Sequence, residues 1–559
     1  MIASDEIDRT WWKEAVVYQI YPRSFNDSDG DGVGDIPGII EKADYLDELG
    51  IDVVWLCPVY DSPNADNGYD IREYRSIMDE MGTMDDWERL LDALHDRNIK
   101  LVMDMVLNHT SDEHEWFQRS RHETDGYEDY YHWVAGDPSE PPNNWESFFG
   151  GPAWSYDDTR EAWYLHLFDE KQPDLNWRNP AVRESLYETV NWWLDRGIDG
   201  FRLDVINLPS KPEGYPDGEV DTYPTGSEHF VNGPRIHEYL RELYEETFAN
   251  YDVMTVAEMV DLDVEAANEY LGEDGDGLNM AFHFDHMFLD FGPEGRWDIG
   301  EWSVSEFKDI FSEWQTGLDE TSWDGLYWEN HDQPRVVSRF GDDETYRYES
   351  ATMLGTLLFT LKGTPYVYQG QEIGMTNADF ESLSEVRDVD TRQPVELLLE
   401  NGEIDSYEEI REAVNYRSRD HARTPMQWSG EANAGFTDGE PWIKVNERYP
   451  EINVATARTA ESSVWQYYRE LIELRSNSDV LVYGEYDRIE TPDPLYMFTR
   501  TLGPERVLVV LNWSDEDESF ASPSSLSIDD GRLLLSNYDD RSDRDGTTLR
   551  PYEARIYRL

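Results

Sequence analysis

Three carboxylates, Asp204, Glu258 and Asp332, each stand at the end of a short apolar run: GIDGFRLDV, DVMTVAEM and GLYWENHD. Other polar residues end such runs as well, namely Asp104, Asn108 and His109 in KLVMDMVLNH, Arg202 beside Asp204, and Asn330 and His331 beside Asp332. One Asp or His at the rim of a sheet is often only a hydrogen-bonded structural group. Three anions meeting in one cavity repel one another, and such an arrangement is costly unless the carboxylates take part in chemistry. The chemistry that fits is glycoside hydrolysis, in which one carboxylate is an ionised nucleophile and another a protonated acid.

The spacing suggests a division of labour. Arg202 lies two residues before Asp204 in a strand and so shares its face, where a fixed positive charge favours an ionised Asp204 as nucleophile. Glu258, facing Asp204 and Asp332, is expected to keep its proton and donate it to the leaving oxygen. Once Asp204 is esterified its charge is gone, and Glu258 can then act as base toward water. Asp332 is left to hold sugar hydroxyls and to stabilise positive charge at the anomeric carbon.

Positioning these groups requires several parallel strands that end at the same level. Eight short runs fit: those from Val16, Ile51, Lys100, Gly197, Asp252, Asn279, Gly325 and Thr364. Helical patterns lie between most of them. One starts with a T-x-x-D box at Thr83, places Trp87, Leu90, Leu91 and Leu94 on one face, and stops at Asn98. Another starts with Asn179 and Pro180, carries Val182, Leu186, Val190 and Trp193, and ends at Gly197. Eight strands alternating with helices predict an α/β fold, a (β/α)8 TIM barrel with its site at the C-terminal strand ends. The spacing also predicts domain limits: the barrel at 1–108 and 175–478, an inserted domain at 109–174 after strand three, a subdomain at about 377–423, and an all-β C-terminal sandwich at 479–559.

Composition narrows the partners. The chain has 559 residues and a formal net charge of −74, from 120 acidic and 46 basic residues, of which eight are Lys and 38 Arg. Such a charge repels nucleic acids and anionic membranes. Self-repulsion on this scale predicts a salt-adapted, halophilic protein, because molar salt shortens the Debye length to about 3 Å. The single cysteine, Cys57, allows no intrachain disulfide. No leader-like or membrane-spanning run is visible, which predicts a cytoplasmic protein acting as a monomer or small homo-oligomer. The loop Asp27-Ser-Asp-Gly-Asp-Gly-Val-Gly-Asp35 alternates acidic residues with glycines, so Asp27, Asp29, Asp31, Asp35 and the Val33 carbonyl are candidates for one structural Ca2+ or Mg2+. The alternative is a Gly/Asp turn in an Asp-rich chain. No organic cofactor is expected.

DMVLNH, GFRLDVIN, TVAEM and ENHDQPR together resemble the four signature regions of glycoside hydrolase family 13, the α-amylase family. QPDLNW and ARTPMQW are similar to the oligo-1,6-glucosidase and α-glucosidase branch. The resemblance runs from WWKEAVVYQIYPRSF to LRPYEARIYRL. It implies the same roles for Asp204, Glu258 and Asp332, and a glucosyl unit bound by His109, Arg202 and His331. It implies that Tyr69 stacks beneath the ring and that Phe168 and Gln172 line the entrance. Asp66 and Arg419 would clamp the far hydroxyl and make the enzyme exo-acting, with a surface ion pair as the lesser alternative for those two. Val205, directly after the nucleophile, goes in this branch with α-1,6 linkages, α-1,4 remaining possible. A related metal at the matching loop favours the cation reading. Trehalose-6-phosphate hydrolase, sucrose isomerase and glucosyl transferase share the carboxylates and stand as alternatives, whereas non-catalytic relatives lose them or carry an anchor.

Overall fold

The computed structural model describes residues 7, 9–220, 222–272, 275–293, 295–520, 531–538 and 547–559. Eight parallel strands form the centre: β1 (Val17–Ile20), β2 (Val53–Leu56), β3 (Lys100–Val106), β4 (Gly200–Asp204), β5 (Met254–Glu258), β6 (Met280–Phe282), β7 (Gly325–Leu326) and β8 (Thr364–Tyr368). Each pairs with its neighbour in sequence, β8 also pairs with β1, and the bridge Ala281–Asp324 joins β6 to β7. The eight anticipated runs are these strands, and the barrel is as expected. The strands are buried on both faces because helices cover the outside, and their continuous apolar runs match that environment.

Both anticipated helices form where their caps direct. Thr83 and Asp86 make the reciprocal capping box of helix Met84–His95, whose Trp87, Leu90, Leu91 and Leu94 are buried, and Asn98 follows in the left-handed region at φ 59°. Asn179 accepts the Ala181 amide at 3.0 Å and opens helix Pro180–Leu194. One local expectation changes. Strand β7 is only two residues long, so Asn330, His331 and Asp332 stand on the loop beyond it and not on the strand. They are fixed there by side-chain contacts, which a sequence pattern does not reveal.

Between β3 and β4 the chain builds a three-stranded antiparallel sheet, Trp133–Ala135 with Ala162–Leu165 and Trp154–Asp157. The bridge His109–Asp174 pins the two ends of this excursion together. After β8 come the helices Val389–Asn401, Arg411–Arg417 and Asp420–Arg423, packed around Phe380, Val386, Val395 and Val414. The C-terminal part holds a five-stranded antiparallel sheet, in the order Glu485–Ile489, Leu495–Leu502, Glu505–Asn512, Ala554–Arg558 and Arg532–Ser536, and a two-stranded sheet. Part of the anticipated C-terminal sandwich lies outside the described residues. Among the described residues no helix is long and apolar enough to cross a membrane.

Candidate active site

Strand β4 ends at Asp204 because Val205 turns the backbone away. Its φ is +37°, a left-handed conformation strained for a β-branched residue, and its side chain is buried among Trp145, Leu167, Leu208 and Phe230. The same turn aims the Val205 amide at the Glu258 carboxylate, 3.3 Å away. Arg202, two residues back on β4 and 1% exposed, is the hub. It donates to Asp204 at 2.6 Å, pairs with Glu258 at 2.6 Å, and is ion-paired with Asp104 of β3. Two carboxylates on one guanidinium are held close together.

The charge balance of this group is unequal. Three carboxylates share one guanidinium, all nearly or wholly buried. Burial pushes the Asp104 carboxyl up to about 6 against the pull of Arg202. Contrary to the expectation that Arg202 keeps Asp204 ionised, burial pushes the Asp204 carboxyl up in the free site, opposed by Arg202 and reinforced by Glu258 and Asp104. A pocket with surplus negative potential stabilises positive charge that develops inside it, as at an oxocarbenium-like carbon.

Asp332 has a different environment. Arg419 and Arg423 reach its Oδ1 at 3.0 and 2.8 Å, and His331 Nε2 lies 3.2 Å from Oδ2. Although burial pushes it up, the Arg419 and Arg423 guanidiniums hold its carboxyl well below the usual range. Burial takes the His331 ring down to about 3, so it is neutral. The ring lies parallel to Tyr69, with centroids 5.3 Å apart, and meets its hydroxyl at 2.6 Å.

The remaining expected residues connect to these. Arg419 stands 3.7 Å from Asp66, whose carboxyl burial lifts to about 7 against Arg419 and Arg423. Asp66 accepts from Gln172 at 3.1 Å, and Gln172 meets His109 Nε2 at 3.2 Å. His109 packs on Phe168 at 5.1 Å. Gln172 has no exposed surface and is wedged between Asp66 and His109, deeper than an entrance position; Phe168 is half-buried. All twelve pocket candidates thus fall within one contiguous network.

Several partners were not visible in the sequence. Asp388 has no exposed surface and receives Arg419 at 2.7 Å and Arg423 at 3.0 Å. Lys211 is also buried and ties Asp174 at 2.5 Å and Asn108 at 2.7 Å, joining the two ends of the inserted segment to the loop after β4. Gln19 of β1 reaches His331 Nδ1 at 2.9 Å. The signal available was a polar residue inside an apolar run for Gln19, and a lone Lys in a Lys-poor chain for Lys211. Asp388 had none, among 120 acidic residues.

The Asp-rich loop is a separate feature. Asp27, Asp29 and Asp35 bring carboxylate oxygens within 4.8 Å of one another, while Asp31 lies outside that group, exposed, and accepts the Val33 amide at 2.8 Å. Asp27 accepts the amides of Asp29, Gly30 and Gly32, and Asp35 caps helix Ile36–Glu41. A donor set of clustered carboxylates suits a hard divalent cation.

Residues 19–484 match the model of the alpha-amylase catalytic domain. The oligo-1,6-glucosidase of Bacillus cereus is 52% identical, over 99% of this chain and 100% of that protein. Among solved structures, trehalose-6-phosphate hydrolase of Bacillus licheniformis superposes with a TM-score of 0.92 at 45% identity, covering 98% of this chain and 100% of that one. Isomaltulose synthase of Klebsiella sp. LX3 gives 0.95 at 42% identity, covering 99% and 100%. The barrel, its carboxylate-lined strand ends and these similarities converge: the chain is a glycoside hydrolase and belongs to the alpha-amylase family.

Proposed function

We propose that the protein is a retaining, exo-acting α-glucosidase that releases glucose from the non-reducing end of short oligosaccharides, with α-1,6 linkages favoured and α-1,4 accepted. Asp204 attacks the anomeric carbon and Glu258 serves first as acid, then as base. Asp332, fixed by Arg419 and Arg423, holds the sugar hydroxyls. His109, Arg202, His331 and Tyr69 surround the glucosyl ring, Phe168 and Gln172 border it, and Asp66 with Arg419 closes the pocket behind it. The observation that carries this reading is the joint hold of Arg202 on Asp204 and Glu258 at the strand ends. Identity to an oligo-1,6-glucosidase supports the linkage preference. The protein's catalytic barrel spans 1–108 and 175–478, the inserted domain 109–174 and the C-terminal β-domain 479–559.

A phosphosugar substrate is disfavoured because Arg202, Arg419 and Arg423, the pocket's guanidiniums, are each paired with carboxylates. Sucrose isomerisation uses the same carboxylates, and the products decide. Rates on isomaltose, maltose, sucrose and trehalose 6-phosphate in molar KCl, with the products followed by NMR, test the reading. The expected result is fastest hydrolysis of isomaltose with α-glucose released first. Release of β-glucose, or an isomer of sucrose as main product, overturns it. Val205→Ala or Val205→Thr is expected to shift the isomaltose-to-maltose rate ratio about tenfold, because one methyl at the leaving-group side alters fit by about 1 to 3 kcal/mol. An unchanged ratio removes Val205 from the specificity argument.

The protein is further proposed to be cytoplasmic, salt-adapted, a monomer or small homo-oligomer, and stabilised by one Ca2+ or Mg2+ held by Asp27, Asp29 and Asp35. A cation that binds only the folded state raises its stability. Chelation is therefore expected to lower Tm by several degrees with KM unchanged, and added CaCl2 to restore it. A Tm indifferent to both treatments argues for a plain Asp/Gly turn.

A further inference from the structure

The His331 ring meets polar atoms on both nitrogens while buried and neutral. On its Nε2 side lie Asp332 Oδ2 at 3.2 Å and the Tyr69 hydroxyl at 2.6 Å; on its Nδ1 side lies the Gln19 amide nitrogen at 2.9 Å. A neutral imidazole carries one proton, so these contacts must agree on where it sits. The Gln19 amide nitrogen can only donate, which leaves Nδ1 the acceptor and places the single proton on Nε2, where the Tyr69 hydroxyl at 2.6 Å accepts it and the Asp332 carboxylate, ion-paired with Arg419 and Arg423, stands 3.2 Å away. An amide NH2 is the group that satisfies an Nδ1 acceptor. Gln19 supplies it from β1, itself 1% exposed, with a second contact to Cys57 Sγ at 3.2 Å that fixes the amide in place.

We infer that Gln19 is a positioning residue that fixes the tautomer of His331, so that an Nε2–H donor faces Asp332 and the sugar. This rests on the reading of the pocket as a glucosyl site. Gln19 itself does not reach the substrate; it acts through His331. The geometry also holds the ring in orientation, since Tyr69 and Tyr21 lie parallel to it and Trp55 meets it edge-on at 6.0 Å. Rotation of the imidazole is blocked, so the tautomer is the remaining freedom, and Gln19 removes it.

Two substitutions distinguish this role from packing. Gln19→Met keeps the volume and removes the donor. Gln19→Glu keeps the shape and replaces the amide with a group that donates only when protonated. While the introduced carboxyl and His331 share a proton, the ring keeps its Nε2–H. When that proton is lost, the introduced carboxylate demands Nδ1–H and Nε2 becomes bare. Asp332, Tyr69, Arg202, Arg419 and Arg423 also face the ring, with Asp104 behind Tyr69, and they are unchanged between the variants.

The expected result for Gln19→Glu is a new alkaline limb, with kcat/KM falling at least tenfold as pH rises through the pair's titration. Gln19→Met should lose a similar factor at every pH without a new limb. In 15N-labelled protein, His331, assigned through His331→Asn, should show protonated Nε2 and bare Nδ1 in the parent, and the reverse in Gln19→Glu at high pH. Folding is checked by circular dichroism and Tm in each variant. Parent-like kinetics and ring spectra in both folded variants overturn the inference while leaving the glucosidase reading intact. If Asp204→Asn and Glu258→Gln hydrolyse normally, that reading fails independently of Gln19.

Discussion

Asp204→Asn is expected to abolish turnover of both natural and activated α-glucosides, with a loss of about 10⁴-fold or more, because no covalent ester can form. The fold should tolerate it. The introduced carboxamide oxygen still accepts a hydrogen bond from Arg202, and removing one of three carboxylates around a single guanidinium relieves repulsion, so Tm should not fall. Glu258→Gln should behave differently. Losing a general acid costs about 10² to 10⁴-fold on substrates with poor leaving groups. An activated aryl glucoside needs no protonation, so its first step should survive and the glycosyl-enzyme should accumulate as a burst, since water then lacks its base. Steady-state and pre-steady-state rates on isomaltose and on p-nitrophenyl α-glucoside separate the two variants. Equal losses on both substrates for Glu258→Gln, or about a tenth of parental turnover left in Asp204→Asn, would reverse the assigned roles or remove them.

The second large effect is expected from salt alone. On transfer from molar KCl to about 10 mM salt the Debye length lengthens from about 3 Å to about 30 Å, and charges of one sign across the whole surface begin to repel. With a formal net charge of −74 the folded chain should lose activity and far-ultraviolet circular dichroism together. The distribution of lysine sharpens this expectation. Of the eight, only Lys171 is exposed, while Lys211 and Lys308 are buried in ion pairs, so lysine does little to neutralise the outside. Full structure and activity after dialysis would show that surface arginines and local ion pairs suffice, and would end the salt-adapted reading.

The sequence carried the barrel clearly because strand and helix signals there are local. Buried parallel strands demand continuous apolar runs, and helix starts are written in caps such as Thr83 with Asp86, or Asn179 with Pro180. It also carried the candidate carboxylates, because a charged residue at the end of an apolar strand has few explanations. Details of placement escaped, as did the partners Asp388 and Lys211 and the exclusion of Asp31 from the acidic cluster. His331 and Asp332 proved to lie on a loop, since β7 stops at Leu326, and Gln172 proved to be buried between Asp66 and His109. Both depend on side chains meeting across long separations in the chain.

What the sequence by itself determined is the set of reactive groups and the scaffold that brings strand ends together. Those follow from hydrophobic periodicity and residue type, which act over a few residues. Only the tertiary structure decided which charges each group faces. Asp204, Glu258 and Asp104 share one guanidinium, whereas Asp332 faces two that it shares with Asp388. It also decided that the His331 ring meets Tyr69 and Asp332 through Nε2 and Gln19 through Nδ1, and that Val205 bends the backbone into a strained turn to present its neighbour. Electrostatic energy in a buried site depends on distances of a few ångströms between residues hundreds of positions apart, and no linear pattern encodes those distances.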